Sequence, residues 1–369
     1  MIYDVAIIGG GLAGLALSID LKKRGYNILV IEKGSYPRHK VCGEYISLES
    51  KAYLYKLCPA LNLLALPNIK NFKLTSGNSE FTTSLDLGGF GISRYLLEEL
   101  LYNQALKQGV VFRLNTKAYD TLPDNKNYKI STNGETAKAL LVCNSSGRKS
   151  NLETKEKTQE TTNTNYIGIK YHIKISRDRS LIEIHNFEGG YCGISNIEDD
   201  KTCLCYIVNS SYLKNANNSI ATLEKEILSK NKHLEKIFTS AEFLFKEPLT
   251  ISGINFRIKK TIDDTSFFLG DSAGSVSPIT GNGMSIGLKS AWALAQEIDS
   301  YFSTTNSKKQ LVENYNKFWS NEFSTRIKLS RYFQKLAEYP SLTKITISAF
   351  NTFPFIANKF IKKTHGKPF

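Results

Sequence analysis

The hydrophobic pattern changes period along the chain. Residues 5–8 form a short apolar run of the kind a strand buried on both faces requires, and residues 27–31 form a second. The stretch 13–24 between them reads as a helix, and Gly25 stops it. Residues 110–114 predict another strand. Further on, 166–175, 181–187, 190–194 and 202–209 alternate or run apolar, with turn signals at Arg177-Asp178, Glu188-Gly189 and Asp199-Asp200. They predict an antiparallel sheet, with a helix over 219–238 on its outer face and 250–260 returning as a strand to the first unit. Residues 152–165 have no apolar periodicity and read as a surface loop. Residues 284–298 carry apolar side chains at helical spacing, and the last third of the chain, over 308–338 and 342–360, reads as helical.

The first strand runs into Gly9-Gly10-Gly11-Leu12-Ala13-Gly14, a full G-x-G-x-x-G followed by a helix. Gly9 permits a tight turn, Gly11 lets the backbone approach a pyrophosphate, and Gly14 lets helix and strand pack closely. The helix start, at Leu12 and Ala13, puts positive charge at the phosphates. Glu32, followed by Lys33, ends the second strand at the spacing expected of an acid that binds a ribose. A carboxylate there repels a 2′-phosphate, which suits FAD or NAD and disfavours NADP.

A second glycine motif stands far downstream. Residues 266–269 are strand-like, and Gly270-Asp271, Pro278 and Gly281-Asn282-Gly283-Met284 follow before the helix at 284–298. A helix start beside an isoalloxazine ring stabilises negative charge on reduced flavin, and Asp271 suits the ribityl chain. Together the two motifs predict one FAD held between remote segments of the chain, and hence a redox enzyme.

Four segments carry a resemblance to a known group of proteins: Gly9–Gly14 with Glu32, the run Pro37-Arg38-His39-Lys40-Val41-Cys42-Gly43-Glu44, the run Ser93-Arg94-Tyr95-Leu96-Leu97-Glu98-Glu99-Leu100, and Gly270 to Met284. Over residues 1–295 the chain resembles the flavoprotein superfamily of para-hydroxybenzoate hydroxylases, geranylgeranyl reductases and flavin halogenases. The second run is most like the geranylgeranyl-reductase-like branch. The resemblance implies that Arg38, Cys42 and Arg94 belong to the cofactor shell, that the Cys42-Gly43 stretch lies along the flavin, and that the backbone near Ala118 lines the adenine pocket. It implies flavin-facing positions at Cys42 and Pro278, the two catalytic candidates. There are departures. Where the superfamily has an Asp-Gly pair linked to flavin and NAD(P)H binding, this chain has Ser146-Gly147, so NAD(P)H is expected at most as a transient electron donor. The aromatic Trp-x-Phe-Pro-like stretch of geranylgeranyl reductases and the Trp-x-Trp-x-Ile-Pro segment of many halogenases are both absent.

Composition refines this picture. At 41 % hydrophobic, the 369 residues can bury a sizeable core. The net charge of +14 comes from lysines scattered along the chain; it reads either as a solvated surface or as attraction to anionic substrates, acyl-carrier proteins or a membrane surface. No nucleic-acid recognition motif accompanies it. The six cysteines form no C-x-x-C pair, so no metal site is expected, and reduced thiols and a cytoplasmic location are. Basic neighbours make Cys42 the one thiol to watch. The apolar and lysine-rich stretch 342–360 is too interrupted to span a bilayer. It reads as an interfacial helix in peripheral contact with the inner membrane face, as a cap over an apolar substrate tunnel, or as ordinary packing.

The expected architecture is α/β. It has a discontinuous Rossmann-like FAD-binding domain (1–70, 90–150 and 250–300), an antiparallel β-sheet substrate domain (71–89 and 151–249) and a helical C-terminal region (301–369). Three functions compete. The first is an FAD-dependent monooxygenase acting on a small hydrophobic or aromatic substrate, free, carrier-protein-bound or lipid. The second is a flavin reductase that saturates isoprenoid or other alkene double bonds, and the third is a flavin-binding protein without turnover.

Overall fold

The computed structural model describes residues 1–148, 165–256, 259–304 and 306–369. The stretch read as a surface loop lies outside the described residues except for Asn165. The apolar runs near the N-terminus become the centre of a seven-stranded sheet. Its order is Val111–Arg113, Ile28–Ile31, Ile2–Ile8, Ala137–Asn144, Asn127–Thr132 and Ala118–Asp124, with Phe267–Phe268 also on Ala137–Asn144. The strands from Val111–Arg113 through Ala137–Asn144 to Phe267–Phe268 pair in parallel, and the other two extend the sheet antiparallel. Helices Leu12–Lys23, Arg94–Lys107 and Gly283–Ser303 pack together on one face of this sheet, sharing one apolar core with it.

A nine-stranded sheet forms the second layer. Its order is Glu242–Phe243, Tyr166–Lys174, Thr202–Asn209, Gly190–Asn196, Leu181–Phe187, Asn68–Ser76, Ser79–Gly91 and Tyr45–Ser47. It is antiparallel except where Leu181–Phe187 runs parallel to Asn68–Ser76. Two details correct the sequence reading. Leu249–Ile254 does not return to the first sheet but pairs with Tyr166–Lys174 in the second. The helix over 219–238 is broken into Ile220–Glu226, a short 3-10 turn at Leu228–Lys230, and Lys232–Ser240, the last capped by the Asn231 side chain. Asn231 is buried and also donates to Thr75 Oγ1, so its cap is tied to the sheet, and that local competition ends the preceding turn.

The chain closes with three helices. Lys308–Leu336 begins in a capping box formed by Ser307 and Gln310. Pro340–Thr352 and Pro354–Thr364 follow, each with proline in its first turn, and Pro354 splits the single stretch expected over 342–360. Phe81, Ile347 and Ala357 form a small buried cluster that fastens the last two helices to the second sheet.

Candidate active site

The turn after the first strand has the geometry its glycines allow. Gly9 has a φ of 99°, and a Cβ there would lie 2.6 Å from the Ser145 carbonyl oxygen. At Gly14 a Cβ would lie 2.1 Å from the Gly9 carbonyl oxygen, so the helix can start against the strand only with glycine at this position. The N-cap of helix Leu12–Lys23 is Gly11, with no side-chain cap and no acid in the first turn. Its N–H groups are left for an anion.

Glu32 is buried at the end of the second strand. Its Oε2 accepts from the Gly10 N–H at 2.7 Å, and its Oε1 accepts from the Gly34 N–H at 2.9 Å and Arg38 Nη1 at 2.6 Å. Burial pushes the carboxyl pKa up, but Arg38 and the two N–H donors outweigh it and bring it down to about 2. Glu32 therefore clamps the glycine loop, while Oε2 keeps a lone-pair site for a ribose hydroxyl. The Tyr36 hydroxyl donates to the Gly10 carbonyl from the same side. Lys33 is exposed on the turn beyond, and Ala118 is buried at the start of its strand.

Beside the loop lies a basic cluster around one buried carboxylate. Glu98 pairs with Arg94 one helical turn earlier, with Lys40 Nζ at 3.2 Å and with Arg38 Nε at 3.6 Å. Burial raises the Glu98 pKa, but Arg94 and Lys40 overcome it and hold the group ionised. Burial also pulls the Lys40 ammonium down to about 8, against the Glu98 charge. Lys40 Nζ would stand 3.3 Å from a Cβ at Gly11. Arg38, Lys40 and Arg94 thus face two carboxylates, Glu32 and Glu98, and leave positive charge in excess. Among the described residues, Arg38 Nε and Arg94 Nε have no hydrogen-bond partner. Excess positive charge on half-buried side chains and spare donors beside a helix start fit a diphosphate.

The second motif meets the first here. A Cβ at Gly270 would lie 3.3 Å from the Ala13 methyl, and helices Leu12–Lys23 and Gly283–Ser303 pack side by side. Gly283 opens its helix with no side-chain cap, and Asn282 Oδ1 is buried with no partner among the described residues. Met284 is buried, and Asp271 is half-buried with Arg148 Nε at 3.6 Å. Gly281 stands in the wall of a cavity together with Ile279 and Thr280. Pro278, one residue earlier, is exposed and outside that wall.

Residues 40–44 run between these two ends, and the second sheet holds them. Cys42 is half-buried, and its sulfur accepts from the Glu44 N–H. Glu44 has a φ of 56°, a left-handed conformation that a glutamate adopts at a cost of order 1 kcal/mol. Its carboxylate secures it. Oε1 accepts from the Arg94 N–H at 2.7 Å and Lys170 Nζ at 2.5 Å, and Oε2 pairs with His172 Nε2 at 2.7 Å. Lys170 is wholly buried and also donates to the Lys40 carbonyl, and the Cys203 thiol donates to the Cys42 carbonyl. Burial raises the Glu44 pKa, but His172 and Lys170 outweigh it and keep the group ionised. The ligand atoms of Glu44, His172 and Cys203 lie within 4.8 Å of one another. The Lys170 ammonium already neutralises Glu44, which leaves little reason for a metal ion there.

The cavity, of about 160 Å³, lies between the second sheet, the loop Ile279–Gly281 and the last three helices. Phe72, Leu74, Ile184 and Tyr191 come from the sheet, and Phe333, Phe350 and Phe360 from the helices. The helices at 340–364 therefore wall an apolar cavity. Of its lining residues, Tyr45 and Tyr191 have buried hydroxyls with no partner among the described residues, and burial disfavours the protonated form of His365.

Sequence reasoning missed Tyr36, Lys40, Glu98, Lys170 and His172 as site residues. Two signals were present: Arg94 and Glu98 stand at helical i,i+4 spacing, and Lys170 interrupts the apolar run 166–171.

A family model described as an FAD-binding domain matches residues 2–318. The chain belongs to that family. FAD is its cofactor, and the chain is an FAD-dependent oxidoreductase. Among curated relatives, it is similar to conditioned medium factor receptor 1 of Dictyostelium discoideum (23% identical over 365 residues, 89% of this chain and 69% of that protein). It is also similar to digeranylgeranylglycerophospholipid reductase of Methanococcus vannielii (23% over 352 residues, 87% and 83%) and to kynurenine 3-monooxygenase of Christiangramia forsetii (24% over 331 residues, 81% and 73%). Among solved structures, the flavin-dependent brominase Bmp2 shares its fold, with a TM-score of 0.78 at 19% identity over 98% of this chain and 93% of that one. Among the described residues no helix is long and apolar enough to cross a membrane.

Proposed function

We propose that this chain is an FAD-dependent monooxygenase that hydroxylates a small hydrophobic or aromatic metabolite. The observation that carries the reading is the cavity. Its wall contains the loop Ile279–Gly281 at the start of the flavin-side helix, and the rest is mainly aliphatic and aromatic, with Asn186, His365 and three threonines as polar members and no carboxylate or lysine among the described lining residues. Hydroxylation by a flavin and O2 asks the protein chiefly for a dry pocket and an oriented substrate. Gly9, Gly11, Gly14, Glu32, Arg38 and Arg94 would hold the adenosine and diphosphate, and Gly281 to Met284 the flavin end. Cys42 and Gly43, pinned by Glu44, would line the ring. The similarity to a kynurenine 3-monooxygenase supports the reading. Each turnover would consume O2, substrate and two electrons from a donor such as NAD(P)H, placing one oxygen atom in the product and the other in water. The test is turnover of the FAD-loaded protein under 18O2 with candidate apolar substrates. One labelled oxygen per product is expected, and product formed without label would defeat the proposal.

One observation favours a second reading, reduction of an alkene. The run Pro37–Glu44 is the stretch that resembles geranylgeranyl reductases, and it leads directly into Tyr45, whose side chain lines the cavity. For that reaction a bound FAD would supply hydride, and a proton delivered through the cavity wall at Tyr45 would complete the saturation. Product formation from a pre-reduced protein in the absence of O2 would select this reaction.

A further inference from the structure

We infer that the helices Pro340–Thr352 and Pro354–Thr364 form a docking face for an anionic membrane surface, which places the mouth of the cavity at the lipid. The first of these helices is apolar on two opposite sides. Thr343, Ile347 and Phe350, at i, i+4 and i+7, face inward to the cavity and the small core. Leu342, Ile345 and Ala349, at i, i+3 and i+7, are exposed, Ile345 at 66 %. A helix at a protein–water boundary ordinarily carries polar side chains on that second side. At the corner between the helices, Phe353 and Phe355 project into solvent, the latter at 68 %.

Charge identifies the occupant. Residues 339–369 contain Lys344, Lys359, Lys362, Lys363 and Lys367 and no aspartate or glutamate, and all five lysines are exposed. Apolar side chains flanked by lysines, without acids, match an interface with anionic headgroups above and acyl chains below. A second copy of this chain would bring the same lysines face to face, which is unfavourable. Phe360 links the face to the interior: it lines the cavity and is still 38 % exposed. An apolar substrate entering beside it would pass from bilayer to cavity without crossing water. That the bilayer supplies the substrate rests on the reading of the cavity given above. The docking face itself is tested without substrate, so either can fail alone.

The test is co-sedimentation of the FAD-loaded protein with vesicles of phosphatidylcholine, alone or with about a third phosphatidylglycerol, over a salt series. Binding to the anionic vesicles that weakens with salt is expected. Replacing Lys359, Lys362 and Lys363 together by serine should lower that affinity on the order of a hundredfold at low salt. Phe353→Ser with Phe355→Ser should lower it by about tenfold or more. In a separate variant, Phe355→Trp, the new indole emission should shift to the blue on adding anionic vesicles. All variants should keep the flavin absorbance of the parent, which shows that they fold. Absence of binding to any vesicle, or equal binding by the phenylalanine variant, would overturn the inference. So would a dimer in solution that the phenylalanine variant returns to a monomer, since a second copy would then own the face.

Discussion

At the glycine-loop end of the site, Arg38, Lys40 and Arg94 surround Glu98 and Glu32 in a buried ionic network, whereas at the cavity end phenylalanines and aliphatic side chains from the sheet and the C-terminal helices enclose a nearly apolar space. The first end depends on charges that must be present together. Removing a cation strands Glu98 or Glu32, both of which are buried. The second end depends on shape and volume, and its parts are individually replaceable at modest cost to the fold. On the proposed reading, the cofactor's charged half belongs to the first end and the reacting half to the second. Substitutions at the two ends should therefore fail in different observables.

The largest effect is expected from Arg94→Met. It leaves Glu98 short of its main partner, and urea denaturation should show a loss of about 3–5 kcal/mol. FAD affinity should fall as well. Adding Glu98→Gln to Arg94→Met should recover much of the stability but not the FAD affinity, because the stranded charge is gone while the phosphate donor is still missing. Recovery of both would mean that Arg94 serves only to neutralise Glu98.

Glu32 gives the same end a pH signature. Its folded pKa, about 2, lies below its ordinary value of 4.5. A depressed carboxyl contributes stability that is fully present above the unfolded pKa and is lost as pH falls through the folded one. The window runs from about pH 4.5 to about pH 2, and the contribution is about 3 kcal/mol. Stability measured against pH for the parent and for Glu32→Gln should diverge above that window and converge below it. Parallel curves would show that ionising Glu32 contributes no net stability.

The two ends also differed in how far the sequence disclosed them. The glycine loop and Glu32 were legible because few residue types suit those positions at a fixed spacing from a strand or helix, whereas Arg38 and Arg94 were picked out only through the resemblance to a flavoprotein superfamily. Glu98 and Lys40 were not singled out, since a charged residue in a basic run or on a helix usually faces water. Glu44 was legible only as the last residue of the run from Pro37. It accepts the Arg94 N–H, and its larger partners, Lys170 and His172, lie 126 and 128 residues away in sequence. The cavity was legible only as an expectation that something apolar lay under the C-terminal helices. Phe72, Ile184, Tyr191, Phe333 and Phe360 are ordinary core residues in sequence, and only the packing of the second sheet against the last helices brings them around one space. The return strand was misassigned for a related reason: an apolar run shows that it pairs, not with which sheet.

At the cavity end, Thr346→Trp should act on turnover alone. Thr346 lines the cavity from the inner side of helix Pro340–Thr352, and an indole there takes up space the substrate needs. On either proposed reaction, kcat/KM should drop about 10–200-fold, with FAD affinity and the flavin spectrum unchanged. A matching loss of FAD would mean that the ends are not separable.

The smallest effect tests the joint between them. Ser93 caps helix Arg94–Lys107 by accepting from the Leu96 N–H at 3.1 Å, and its own N–H donates to Glu198 Oε2 at 2.7 Å. The helix that carries Arg94 and Glu98 is thus fixed at its start to the turn that follows Gly190–Asn196 of the second sheet. Ser93→Ala removes the cap and keeps the N–H, so it should cost about 1 kcal/mol and leave both FAD affinity and turnover within twofold. Glu198→Gln keeps the acceptor oxygen and removes the charge, and it should cost less. If Ser93→Ala instead shifted FAD affinity and substrate turnover together, the serine cap would be what holds the phosphate end in register with the cavity, and the independence of the two ends would fail at this one residue.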